Sequence, residues 1–256
     1  MKISIVTVCL NSAATISDTL QSIADQDYPD IEHIIVDGAS TDGTQAIIAA
    51  SPSVSRFISE PDRGVYDAMN KGIAMASGDI IGLLNADDFY ANATVLSQVA
   101  LAFADPSIDA CYADLIYVNK ANTSRIVRYW KSCDYKPGLF ERGWMPAHPT
   151  FFVRRSVYDK YGAFDLAFRR QADFELTMRF LAKYHIKTLY IPQIWVLMRL
   201  GGVSNNSFSG IIKGNMEGFR AYKKNGLNVY ILPFITHKFL SRVPQFFKKP
   251  SQPNSF

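Results

Sequence analysis

Two periods of apolar and polar positions alternate along roughly the first 120 residues of the chain. Ile3-Ser4-Ile5-Val6-Thr7-Val8 reads as a buried strand, and Ile16, Leu20 and Ile23 then recur at helical spacing behind the capping candidates Asn11 and Ser12. Residues 32–36 form a second strand, 42–50 a short helix and 56–59 a short third strand. Residues 66–76 are helical, with Met69, Ile73 and Ala76 on one face, and 79–84 are a fourth strand. Strand–helix alternation of this kind predicts an α/β fold with a mostly parallel sheet covered on both faces. Ligands on such sheets bind outside the carboxyl ends of the strands, where Val8, Asp37 and 85–87 all fall.

The rhythm changes after residue 105. Segments 108–118 and 124–130 read as a hairpin, 137–149 as a loop rich in Pro, Gly and aromatics, 151–153 as a strand and 155–161 as a short helix. A clear helix is expected over 173–184, an extended segment over 187–198 and a helix over 211–224. The organisation that follows is one catalytic domain over 1–209, divided into a nucleotide-binding half (1–105) and an acceptor-binding half (106–209), with a helical extension over 210–256.

Asn85-Ala86-Asp87-Asp88 follows the apolar run Ile80–Leu84. Adjacent carboxylates at the mouth of a buried strand call for a counter-charge, and carboxylate oxygens suit Mn2+ or Mg2+ holding a phosphate. If the strand continues, Asn85 and Asp87 share a face and Asp88 turns away. In Asp37-Gly38-Ala39-Ser40-Thr41-Asp42-Gly43-Thr44, Asp37 ends a strand and can accept from a base N–H or a ribose hydroxyl, while Asp42 can cap the next helix. Arg63 and Lys71 bracket a helix start, the kind of place that attracts phosphates, although Lys71 reads equally as a solvated residue. Asp173 and Glu175 open the later helix. The helix dipole favours their anionic form, as a general base requires, but they point to nearly opposite faces and spacing alone does not choose between them. His148 reads either as an acceptor-side residue or as a structural histidine, and Arg199, ahead of a glycine pair, as a phosphate clamp or a surface arginine.

Charge is unevenly placed. Residues 210–256 hold eight lysines and arginines against one acid, Glu217, with bulky apolar residues interleaved. That composition over 228–249 suits an anionic membrane surface, while the absence of a nucleic-acid-binding motif argues against DNA or RNA. No run is long enough to span a bilayer, and the opening Met-Lys-Ile-Ser-Ile-Val lacks a small-residue cleavage site, so the chain is expected in the cytoplasm, peripheral on the inner face of the membrane. Cys9, Cys111 and Cys133 are too scattered for a disulfide framework or a zinc site. Neither G-x-G-x-x-G nor a P-loop occurs. Oligomeric state is not legible.

Five elements in order, Ile5–Asn11, Asp37–Thr44, Asp67–Gly72, Ser77-Gly78-Asp79 and Leu84–Asp88, resemble family 2 glycosyltransferases, inverting enzymes with the nucleotide-diphospho-sugar-binding GT-A fold. The stretch 59–72 is similar to the colanic-acid and exopolysaccharide branch. The resemblance implies a nucleotide-sugar donor, uridine-linked in preference to guanosine-linked, and a glycan or lipid-linked acceptor. It implies that Val8, Asn11, Asp37, Arg63, Lys71, Asn85 and Arg199 line the donor site. Asp37 would take the nucleobase, and Asp87 with Asp88 would hold Mn2+ or Mg2+ on the diphosphate. Asp173 would be the base, in the second position of an acidic pair whose first member is Ala172 here. Asn85 replaces the first acid of the family's D-x-D, and the histidine often found after the Arg199 position is missing. A nucleotidyltransferase is the rival enzyme class, but Cys9–Ala14 lacks the glycines and cations such enzymes carry after the first strand. A non-catalytic sugar- or nucleotide-binding module is the other rival, against which the acids at 87 and 173 speak.

Overall fold

The computed structural model describes residues 1–201, 208–227, 229, 234 and 245, with only the backbone described over 208–213. Nine strands form one sheet: β1 (Ile3–Cys9), β2 (Ile31–Asp37), β3 (Arg56–Ser59), β4 (Ile80–Leu83), β5 (Asp88–Tyr90), β6 (Ala110–Val118), β7 (Ile126–Trp130), β8 (Phe152–Arg154) and β9 (Thr188–Arg199). Their order is β3-β2-β1-β4-β8-β6-β9-β5, with β7 paired to β6. The helices are α1 (Ile16–Ala24), α2 (Thr44–Ala49), α3 (Val65–Met75), α4 (Val95–Ala102), α5 (Arg155–Tyr161), α6 (Ala172–Met178) and α7 (Phe208–Lys224).

The first four strands are parallel, as their continuous apolar runs require. β1 is wholly buried and its side chains alternate between two cores. Val6 and Val8 pack with Ala68, Met69 and Ile73 of α3, whereas Ile3 and Ile5 pack with Ile23 of α1 and Val95 and Val99 of α4. Gly72 lets α3 lie directly on β1, since a Cβ there would meet Val6 Cγ1 at 2.2 Å. Beyond β4 the sheet becomes mixed: β8 inserts antiparallel between β4 and β6, and β9 returns parallel to β6.

Three local differences from the sequence reading matter. β4 ends at Leu83, and Ala86-Asp87 form a turn closed by the Asp88 amide donating to the Asn85 carbonyl at 3.0 Å. The strand alternation expected over 85–88 therefore does not operate. The helix expected over 173–184 becomes a π-helical turn at Arg179–Lys183, where the Arg179 guanidinium reaches back to the carbonyls of 161–163. α4 and the three-residue β5 were not read from the sequence, because α4 is apolar nearly all round and β5 is too short to show a period.

The expected membrane-facing segment 228–249 lies outside the described residues except at Val229, Phe234 and Gln245. Phe234 packs edge-on against Phe219 and Tyr222, and the Arg128 guanidinium donates to Gln245 Oε1 at 2.7 Å. Among the described residues no helix is long and apolar enough to cross a membrane.

Candidate active site

The carboxyl ends of β1, β2 and β4 lie side by side in the sheet, where Cys9 stands opposite Asp37 in register. Val8 is buried beneath it. Asn11 adopts a left-handed backbone (φ 50°), and its carboxamide oxygen takes the Thr41 amide at 3.0 Å. Its exposed side chain joins the β1–α1 loop to the loop after β2.

Asp37 is fully buried and both its oxygens are occupied by the protein. It accepts from the Ser40 amide at 2.9 Å, the Ser40 hydroxyl, the Ser59 hydroxyl at 2.7 Å and the Cys9 thiol at 3.3 Å. Burial opposes its ionisation, but these hydrogen bonds outweigh burial and hold the carboxyl below its ordinary range. In this structure Asp37 staples the loop after β2. Asp62 lies half-buried beside the same loop. A Cβ at Gly38 would meet Asp62 Oδ2 at 2.7 Å, while Asp62 Oδ1 accepts from the Gly64 amide at 2.7 Å. The glycine at 38 is the sequence signal for Asp62, because it leaves room for another residue's carboxylate.

Two predicted cations are also already engaged. Lys71 donates to the Pro61 carbonyl at 3.1 Å and pairs with Glu60 at 2.7 Å, which braces the β3–α3 loop rather than a phosphate. Arg199 is buried; its guanidinium donates to the Asp87 carbonyl at 2.9 Å, pairs with Asp18 and lies 4.8 Å over the Phe89 ring. It supports the turn that carries Asp87 and does not face the crevice as a clamp. Arg63 is 78 % exposed at the start of α3, paired with Asp67 at 2.8 Å.

The acids at the mouth of β4 separate. Asp88 is fully buried because β5 pairs with β9 and turns that side chain inward. The Asn85 amide reaches its Oδ2 at 3.2 Å and the Arg199 backbone and charge also favour its anion, while its Oδ1 has no partner among the described residues. Burial, then the charge of Asp87, push its carboxyl well above the ordinary range. Asp88 is thus removed from the predicted metal pair, and Asn85 serves Asp88 instead of sharing a face with Asp87. Asp87 stays half-buried on the turn. Burial raises its carboxyl too, against the pull of Arg199, Lys120 and His148.

Asp173 and Glu175 separate in the same way. Glu175 is buried against Arg179 at 3.2 Å, Lys224 at 2.8 Å and Asn225 at 3.3 Å. Asp173 keeps 19 % of its side chain exposed; its Oδ1 takes the Tyr66 hydroxyl at 3.0 Å, and its Oδ2 lies 3.6 Å from His148 Nδ1. Tyr66 comes from α3, in the opposite half of the chain, and is held by a tilted ring contact with Phe164 at 5.2 Å. That loop is fixed in turn by Asn70, whose amide both donates to and accepts from the Phe164 backbone at 2.9 Å. Burial and the neighbouring Asp173 keep Tyr66 a neutral phenol, so it remains a donor. His148 begins a short 3-10 turn (His148–Thr150) pinned to β6 by Thr150, whose hydroxyl takes the Ala113 amide at 3.1 Å and donates to its carbonyl at 3.0 Å. Burial lowers the His148 imidazole, while Asp173 and Asp87 both pull it up. The histidine therefore feels both carboxylates, which come from distant parts of the chain. Tyr66, as a tether between the two halves, was invisible in the sequence.

Parallel strands that gather acids at their carboxyl ends, continued by a mixed sheet that brings in a second acid, define a GT-A glycosyltransferase. The chain belongs to glycosyl transferase family 2, whose model matches residues 4–162. It is similar to a PGL/p-HBAD biosynthesis glycosyltransferase of Mycobacterium bovis, 34% identical over 209 residues covering 79% of this chain and 78% of the relative. Among solved structures, S. aureus TarS (residues 1–349, in complex with UDP) superposes with a TM-score of 0.65 at 17% identity, covering 90% of this chain and 67% of that one. A mannosyltransferase from Pyrobaculum calidifontis, PcManGT, in complex with GDP-Man and Mn2+, gives 0.64 at 19% identity, covering 94% and 69%. At these identities the two structures speak to the fold.

Proposed function

We propose that this glycosyltransferase moves a sugar from a nucleotide diphosphate, uridine-linked, to a hydroxyl of a lipid-linked glycan, with inversion at the anomeric carbon. The observation that supports the reading is that His148 lies 3.6 Å from Asp173 Oδ2 and also feels the charge of Asp87, as expected if the two carboxylates face one site. Structures of the fold bound to UDP and to GDP-Man support a nucleotide-sugar donor.

Asp173 accepts the proton of the attacking hydroxyl as its oxygen bonds to the anomeric carbon. The bond from that carbon to the diphosphate breaks on the opposite face, and the electron pair leaves with the nucleoside diphosphate. The Tyr66 hydroxyl fixes one oxygen of Asp173, leaving the oxygen near His148 for the proton. Asp62 presents an acceptor over Gly38 for a base N–H, and Arg63 stands at the exposed rim.

A divalent cation fits at Asp87. Its half-buried carboxylate is under-compensated, and Mg2+ or Mn2+ is commonly held by one or two carboxylates together with substrate phosphates. Bound there, it would neutralise charge on the leaving group.

The test is a panel of nucleotide sugars incubated with Mn2+ or Mg2+, with release of free nucleoside diphosphate as the readout. One donor is expected to be hydrolysed slowly without acceptor, and Asp87→Asn is expected to remove the metal dependence of donor affinity. No release from any donor, or metal dependence retained in Asp87→Asn, overturns the reading.

A further inference from the structure

The helix that carries the candidate base is capped from outside. Gln171, the residue at the N-cap of α6, makes no side-chain bond to that helix. In a capping box, a glutamate at the third helical position reaches back to the N-cap amide. Here Phe174 holds that position and cannot accept. Glu217 of α7, the one acid of residues 210–256, supplies the oxygen instead. Its Oε2 accepts from the Arg170 amide at 2.8 Å and from the Gln171 amide at 3.2 Å. Those two amides stand three and two residues ahead of Asp173. Burial first, then Asp173 and the charge of Glu217, raise the Tyr66 phenol, which places Glu217 close to the pair that Tyr66 makes with Asp173.

α7 also holds α6 further along. The Tyr222 ring meets Phe174 edge-on at 5.4 Å, Lys224 pairs with Glu175 at 2.8 Å, and the Asn225 amide donates to Glu175 at 3.3 Å. Seven residues separate Glu217 from Lys224, so both lie near one face of α7, about 10 Å apart along its axis. Two grips of this kind fix the rotation of α6 about its own axis. Asp173 and Glu175 are two residues apart, about 200° around the helix. With Glu175 drawn to α7, Asp173 is turned away from it, toward Tyr66 and His148.

We propose that Glu217 is a positioning residue for the candidate base. Through the backbone of 170–171 it locks the first turn of α6 at the rotation that presents Asp173 to the attacking hydroxyl. The assignment rests on the glycosyl-transfer reading, and it makes α7, beyond the domain boundary expected at 209, part of the catalytic machinery. Glu217 touches neither donor nor acceptor and acts through Asp173. A base displaced by about 1 Å can cost about 10²-fold in rate, so the grip matters to turnover as well as to stability.

The test uses the full chain and two readouts. The first needs no substrate: hydrogen exchange, by mass spectrometry, of the segment 168–174. Glu217→Ala is expected to speed exchange there about tenfold. Glu217→Gln, whose amide oxygen still accepts from both backbone amides, is expected to stay near the parent, as is Met216→Ala on the exposed side of α7. The second readout is release of nucleoside diphosphate, with Mn2+, from the sugar nucleotide found by the panel described above. Glu217→Ala is expected to lower turnover about tenfold with UDP affinity unchanged, and Glu217→Gln to restore most of it. In an Asp173→Asn background Glu217→Ala is expected to cost little further, since a residue that acts through Asp173 has nothing left to position. Should alanine unfold the chain, Glu217→Asp, one methylene shorter, is expected to shift both readouts in the same direction. Parent-like exchange or turnover in the shortened variant, failure of Glu217→Gln to rescue, or the full loss repeated in the Asp173→Asn background overturns the proposal. Reduced turnover in Asp173→Asn with parent-like Glu217→Ala overturns the positioning role alone. Near-normal turnover in Asp173→Asn overturns the assignment of the base and the positioning role with it.

Discussion

The mouth of β4 and the first turn of α6 each carry two acids, and each turns one toward the crevice and one into the protein. Their buried members differ. Glu175 is enclosed with a guanidinium, an ammonium and an amide at hydrogen-bonding distance, whereas Asp88 has amides and a bare oxygen. A helix can draw cations from its own next turn (Arg179) and from a neighbouring helix (Lys224). On its three-residue strand Asp88 has the Arg199 charge acting on it, but burial and the charge of Asp87 outweigh that pull and drive it toward the neutral acid. Neighbouring acids with the same formal charge thus do unlike work: one anchors helices, one sits strained beneath a turn, and two reach the crevice.

Substitutions can break this division. Asp173→Asn is expected to lower turnover by about 10² to 10⁴-fold with donor affinity unchanged, measured separately by kinetics and by UDP titration. Near-normal turnover would return the role of base to an open question. Glu175→Gln is expected to act on stability instead, costing about 3 kcal/mol in urea denaturation, because it leaves Arg179 buried without its anion. A variant as stable as the parent would dissolve the contrast between the two acids of α6.

A third buried titratable group sharpens the comparison by pH. His33 is fully buried against Thr7 with one ring nitrogen unpartnered, and burial lowers its pKa from 6.5 to about 4. As pH falls, the unfolded chain takes up this proton before the folded one. The stabilising contribution is complete above about pH 6.5 and is lost progressively down to about pH 4, amounting to about 3 kcal/mol. His33→Gln is expected to flatten that slope in thermal melts between the two pH values, and an unchanged slope would count against the neutral buried imidazole. The smallest effect is expected from Asp88→Asn. The amide keeps the bond to Asn85 and removes an unpaired buried acid, so stability at pH 7 should hold or rise by about 1 kcal/mol. A loss matching that of Glu175→Gln would mean that Asp88 is as well compensated as its counterpart.

Much of the N-terminal half was legible because its signals are local. β1, β2, α3 and β4 lie within a residue or two of where periodicity put them. The site was legible by residue type but less so by role. Polar residues at strand ends and helix starts, such as Asp37, Lys71 and Arg199, look alike in sequence whether they bind a ligand or each other. Their partners, Ser59, Glu60 and Asp18, lie across turns or on other elements.

The sequence alone determined the alternating α/β half, the family, and the acids from which a base and a metal site had to be drawn. It did so because hydrophobic period and short motifs act over a few residues. Tertiary structure alone decided which acid of each pair faces outward, that Tyr66 spans the halves to hold Asp173, and that Glu217 of α7 caps the start of α6. Those outcomes depend on burial and on contacts between residues as much as 181 positions apart, which no local pattern encodes.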